Sequence, residues 1–359
     1  MGSRRAPHMA RILSLANESM KGQARCTFQF EGGGMNRIKA QALIAIAIIA
    51  GICRAAGPLQ FEKSIPLESV SGRIDHMAAD PKGGRLFVAA LGNKTLEVID
   101  WNSGKTIKSI AGLDEPQGIV YRSDSNRLYV ATGGDGSVQM FDGSSFMLQQ
   151  TIKLGEDADN LRFDAASRLV WAGYGGGALA AISDDGHLLA NIRLSAHPES
   201  FQLEHNGPRI FVNLPRSRQV AVVDRDKKAV IATWGTGLDF SIPMTFDEKS
   251  KRLFIVCRIP ARLLVMDTDS GKIVTKMPTV GDSDDVFYDI ARHRLYVTGG
   301  GGSVVVYDQR SRDQYDQVAN IRTGDGARTS LFVPEADRLF VAVPHRGAQP
   351  AEIRIYRAD

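Results

Sequence analysis

Asp75, His76, Asp159, Glu199 and Asp284 are residue types that hold divalent cations, offering carboxylate oxygens and an imidazole nitrogen to Ca²⁺, Mg²⁺ or Zn²⁺. Arg258, Arg328, His345 and Arg346 are donors that clamp a carboxylate or phosphate, and Asn160 and Asp285 add an amide and a further carboxylate. Gathered on one surface, the acids would raise one another's pKa and favour a bound cation, and a polar ligand carrying groups of both signs would fit. No local motif gathers them. His-Glu-x-x-His, paired Cys-x-x-Cys and Gly-x-Ser-x-Gly are all missing. The glycine-rich runs Gly133-Gly134-Asp135-Gly136 and Gly299 to Gly302 are not followed by the Lys-Ser/Thr and helix of a phosphate-binding loop.

The elements that must position these residues repeat. Arg, two apolar or aromatic residues and a fourth apolar one recur at Arg85, Arg127, Arg168, Arg209, Arg252, Arg294 and Arg338, at intervals of 42, 41, 41, 43, 42 and 44 residues. A second apolar run follows most of them and ends on Asp100, Asp142, Asp224, Asp267 or Asp308. With an apolar segment before each Arg and a third run after a turn, each repeat supplies four strands. One four-stranded sheet cannot bury both faces alone, whereas a closed radial stack buries the faces and protects the edges. The expected fold is all-β: a seven-bladed β-propeller of four-stranded antiparallel blades. The last repeat stops one strand short, so Gln60 to Leu67 is expected to close its blade.

The tetrads Tyr129-Val130-Ala131-Thr132 and Tyr296-Val297-Thr298-Gly299 make the chain resemble the YVTN-repeat seven-bladed propeller family, the YncE-like exported propellers. The resemblance covers the whole repeat region and implies the fold; family members of this kind are exported and differ in role.

Repetition also sorts the residues. The Arg and Asp found in nearly every repeat serve every blade, the Asp residues by accepting turn amides two residues on. Function is expected where the repeats differ, at the loops around the channel. The two residues that lead into the innermost strands are Asp75-His76, Gln117-Gly118, Asp159-Asn160, Glu199-Ser200, Ile242-Pro243, Asp284-Asp285 and Arg328-Thr329. Asp157 and Asp282 stand close behind, and the loops after the second strands add Asn93, Asp135, Tyr174, Asn213, Arg258 and His345-Arg346. His187, His197, His205 and His293 are expected in exposed loops without a chemical role, and Cys257 in the core.

Ala40 to Cys53 is an uncharged stretch preceded by Arg37 and Lys39 and followed by small residues, the layout of a signal peptide. At 14 residues it is short for a membrane span. The expected organisation is an upstream extension over 1–34, with Met35 as the natural start, a signal peptide over 35–56, and the propeller over 57–359 in the periplasm or secreted. Residues 1–55 hold eight basic and two acidic residues, so their loss takes the formal charge from +4 to −2. That removes the electrostatic reason to bind nucleic acid or acidic membrane. Cys26 and Cys53 go with them, leaving Cys257 without an internal disulfide partner. The expectation is a monomer that binds a small polar ligand or an envelope protein at the channel mouth. The alternative is an enzyme of the lactonase or lyase sort, with a metal polarising a carbonyl there.

Overall fold

The computed structural model describes residues 57–359. Seven four-stranded antiparallel sheets succeed one another along the chain, each running from an inner to an outer strand. Blade 1 consists of Met77–Asp80, Arg85–Ala90, Thr95–Asp100 and Lys105–Ala111. Blades 2 to 6 begin at the inner strands Pro116–Arg122, Ala158–Asp164, Phe201–Leu203, Asp239–Asp247 and Ser283–Asp289. Blade 7 is made of Ser330–Val333, Arg338–Val343 and Glu352–Ala358, and Leu59–Pro66 is its fourth, outermost strand. The closing strand runs antiparallel to the C-terminal one, pairing Ile65 with Ile353 and Leu59 with Ala358. Each inner strand touches those of both neighbouring blades, so the ring is closed. Among the described residues no helix is long and apolar enough to cross a membrane. The upstream extension and signal peptide expected from sequence lie outside the described residues.

The middle strands are apolar runs because both their faces are covered. Leu86 to Ala90, for example, are fully buried. Seven apolar clusters result, one at each junction between neighbouring blades: Val88 packs with Phe340 and Ile353 between blades 1 and 7, and Phe87 with Val130 between blades 1 and 2. Cys257 lies in the blade 4 and 5 cluster, and burial pushes its thiol up to about 12.

The repeated arginines tie the blades together at the end of the ring where first strands turn into second ones. Arg85 donates to Asp80 (2.7 Å) and to the Gly143 carbonyl of blade 2 (2.5 Å), while Arg252 reaches Asp267 and, in blade 6, Asp313 (both 2.6 Å). Arg294 donates to the Asp359 carbonyl at the closing blade (2.7 Å). Asp100, Asp142, Asp224 and Asp267 each accept two backbone N–H bonds within the turn that follows, as their positions predict. Asp308 departs from this pattern. Its strand continues to Ser311, leaving no turn to cap, and Asp308 pairs with Arg294 at 2.8 Å instead.

Candidate functional site

The residues that lead into the inner strands are placed by backbone irregularity. Register shifts interrupt the first ladder between Pro116 and Ile119, Ala158 and Leu161, Ser241 and Met244, and Ser283 and Asp285. A bulge of this kind re-aims side chains, here around Gln117-Gly118, Asp159-Asn160, Ile242-Pro243 and Asp284. The first member of the aligned pair then lines the mouth in all seven blades: Asp75, Gln117, Asp159, Glu199, Ile242, Asp284 and Arg328. The second member faces the channel below in six of them. Gly118 is one of these, and a Cβ there would stand 2.3 Å from the Asp159 carbonyl oxygen, so the close approach of blades 2 and 3 requires glycine.

The mouth is a cavity of about 350 Å³, walled by six carboxylates against three guanidinium groups and two imidazoles. Its outer tier comes from residues two positions before the aligned pairs: Arg73, Glu115, Asp157 and His197. Asp75 is fully buried and accepts from Arg73 at 2.6 Å. His76 Nδ1 lies 3.4 Å from Asp285 Oδ1, and its Nε2 lies 3.6 Å from Asp75 Oδ1 and 3.2 Å from the Asn160 amide nitrogen. Asp285 Oδ2 accepts the Ser330 N–H of blade 7 at 2.8 Å. Arg328 pairs with Asp282 at 2.8 Å, and Arg258 pairs with Asp284 while donating to the Ser283 carbonyl at 3.0 Å. His197 bonds the Gly175 carbonyl oxygen at 2.6 Å and lies 3.6 Å from both Asp157 and Asp159.

These neighbours set the protonation states. Burial opposes a charge on His76, but the Asp285 and Asp75 carboxylates outweigh it and hold the imidazole up at about 10. The Asp159 carboxylate 3.6 Å away raises His197 to about 9. Burial pushes Glu199 up to about 7, helped by the Asp159 charge. Burial also lifts Asp284 to about 6 against the pull of Arg258. Asp159 is raised for the same first reason, opposed by the neighbouring His197 imidazole.

Two carboxyls have capacity to spare. Asp284 Oδ2 is buried with no hydrogen-bond partner, and Arg328 Nε stands 3.6 Å away. Glu199 accepts no hydrogen bond among the described residues, and Asp284 is near enough for its charge to be felt there. A buried acceptor left open like Asp284 Oδ2 favours a donor or cation from outside, and the half-buried Glu199 carboxyl is free to share it.

Of the residues singled out from sequence, the structure gathers Asp75, His76, Asp159, Asn160, Glu199, Arg258, Asp284 and Arg328 around the mouth, with Asp285 in the channel wall just beneath. His345 and Arg346 are exposed on their loop and do not line this cavity. Arg346 lies over Gly326 and bridges to Gln349. Asn213 is fully buried and donates to the Ile242 carbonyl at 3.0 Å, stitching blade 4 to blade 5. The sequence places His197 in an exposed loop, and the structure corrects this: the loop folds inward and carries it to the mouth wall. Arg73 and Glu115 also line the mouth without having been expected there. The signal is present in the sequence, because Arg73, Glu115, Asp157, His197 and Asp282 all stand two residues before an aligned pair. The candidate metal ligands stand around the cavity, and among the described residues no three His, Cys, Asp or Glu side chains form a metal-ligand cluster. Asp75, Asp159 and Asp284 face Arg73, His197 and Arg258 respectively.

No family model matches the sequence, and no curated protein matches it. Solved structures do. The chain is similar to a chain of Kuenenia stuttgartiensis hydrazine synthase, at 16% identity over 82% of this chain and 96% of that one, with a TM-score of 0.65. It is similar also to a chain of the mitotic checkpoint complex, at 13% identity over 94% of this chain and 99% of that one, with a TM-score of 0.70. Likeness at such identity establishes the β-propeller fold alone.

Proposed function

We propose that this protein is an exported propeller of the YVTN-repeat kind that binds a small polar ligand at the channel mouth through the ligand's ammonium group. The single observation that carries the binding reading is Asp284 Oδ2, buried at the mouth without a hydrogen-bond partner, with the unbonded Glu199 carboxyl nearby. An ammonium group supplies three donors and a positive charge, which satisfies both acids at once. Six carboxyls face three guanidinium groups and two imidazoles held protonated, a near balance that suits a ligand carrying both signs, with Arg73 and Arg328 placed to meet its anionic group. Export rests on the layout of residues 35–56, and the family on the two tetrads.

Titration calorimetry of the full chain with glycinamide tests this reading. Wild type should bind, and the double variant Asp284→Asn, Glu199→Gln should bind at least tenfold more weakly while melting no lower. Equal affinity in the two proteins would sink the reading. Carboxyls near 7 and 6 lie in the range suited to general acid–base work, which favours a second reading as a metal-assisted lactonase or lyase. Titrating the same two proteins with Ca²⁺, Mg²⁺ and Zn²⁺ decides it, since a catalytic ion must bind wild type and not the double variant.

A further inference from the structure

The mouth does not end at its rim. It shares Asp157, His197 and Glu199 with a neighbouring hollow of about 320 Å³, and that hollow shares Glu156, Gly175 and Gly176 with a third of about 700 Å³. Through these shared walls the three hollows adjoin in series, from the mouth past the blade 3 hairpin to Arg193 and Ser195. The floor of this groove is the hairpin Gly175-Gly176-Gly177, which joins the strands Leu169–Tyr174 and Ala178–Ile182. A Cβ on Gly177 would stand 2.8 Å from the Leu194 carbonyl oxygen, and the backbone there has φ +148°, so the floor must lack a side chain at that point. Over Gly176 the space is open, with nothing within 4 Å of where a Cβ would stand.

Charge changes along the groove. The inner end carries the mouth carboxylates, whereas farther out the exposed Glu156 stands with Arg216 and then Arg193, both exposed and neither in an ion pair among the described residues. Glu156 offsets these arginines, so the outer groove gives a polycation or a polyanion no charge to pair with along its length. A chain that is cationic at one end and neutral beyond it meets no repulsion. Backbone amides over a side-chain-free floor, with Tyr174, Leu154 and Leu194 along the walls for apolar side chains, match a peptide.

We propose that mouth and groove together bind an extended peptide by its free amino terminus, the α-ammonium lying between Glu199 and Asp284 and the following residues running over Gly175–Gly177. This rests on the reading of the mouth as an ammonium site. The probes are the hexapeptide Ala-Ser-Ala-Ser-Ala-Ser amide, its N-acetylated form, glycinamide and spermidine, titrated into the full chain and into Gly176→Phe. That substitution enters open space at an ordinary φ, so the fold tolerates it. The hexapeptide should bind at least tenfold more tightly than glycinamide, and acetylation should cost at least tenfold. Gly176→Phe should bring the hexapeptide down to the level of glycinamide and leave glycinamide unchanged. A hexapeptide no tighter than glycinamide, or indifferent to acetylation or to Gly176→Phe, overturns the groove while leaving the mouth intact. Spermidine binding more tightly than the hexapeptide overturns the peptide assignment. Failure of glycinamide to bind wild type strikes the reading of the mouth, and the groove proposal falls with it.

Discussion

Both ends of the ring are crowded with Arg and Asp, yet they use them differently. At the base, Arg85, Arg252 and Arg294 recur at one position and each spends its donors on carboxylates and carbonyls, including those of the next blade. At the mouth no two neighbouring blades present the same residue, acids outnumber bases, and Asp284 keeps an unbonded oxygen. A charge that is repeated and fully paired holds the ring together. A charge that is unique and underpaired is available to something else. The two ends should therefore respond oppositely: base and closure substitutions should cost stability and leave ligand affinity alone, and mouth substitutions should do the reverse.

The largest effect should come from opening the ring. A chain beginning at Glu68 lacks the outermost strand of blade 7 and its buried Leu59, Ile65 and Leu67. At about 1.5–3 kcal/mol for each large apolar side chain uncovered, melting should fall by on the order of 10 °C. Thermal denaturation followed by circular dichroism checks this, and an unchanged melting temperature would refute closure by the N-terminal strand.

Next is Arg252→Ala at the base. Its guanidinium is buried between Asp267 and Asp313, and removing one side of such a cluster typically costs about 3–5 kcal/mol. The variant should melt markedly lower while its glycinamide affinity, measured below its transition, stays within twofold. A selective loss of affinity would break the division between the two ends.

The smallest effect separates the ends by pH. Glu199 has its folded pKa raised to about 7 from 4.5, so it costs stability progressively as pH rises through that window. Glu199→Gln should therefore melt about 2 °C higher than wild type at pH 8 and equally at pH 4, by scanning calorimetry. His76 and His197, raised to about 10 and about 9, contribute stability that is full below 6.5 and lost as pH climbs through those values. Wild type should thus weaken steadily from neutral toward pH 10. A variant less stable than wild type at pH 8 would place Glu199 among the scaffold residues instead.

The ring was legible because its cause is local and repeated. Strand periodicity, turn-starting Asp residues and a spacing of 41 to 44 residues need no knowledge of distant contacts, and neither does the missing fourth strand of the last repeat. The same alignment located the inner tier of the mouth, since equivalent positions of the seven repeats come together around one axis. Tertiary structure decided the rest. His345 and Arg346 share a blade with Arg328 but stay on an exposed loop, while His197 turns inward to Asp157 and Asp159. Asp75 is satisfied by Arg73 two residues before it, whereas Asp284 depends on Arg258 of the preceding blade and is left half satisfied. A repeat tells which end of the ring a side chain reaches; only the packing of neighbouring blades sets its partner, its burial and hence its charge.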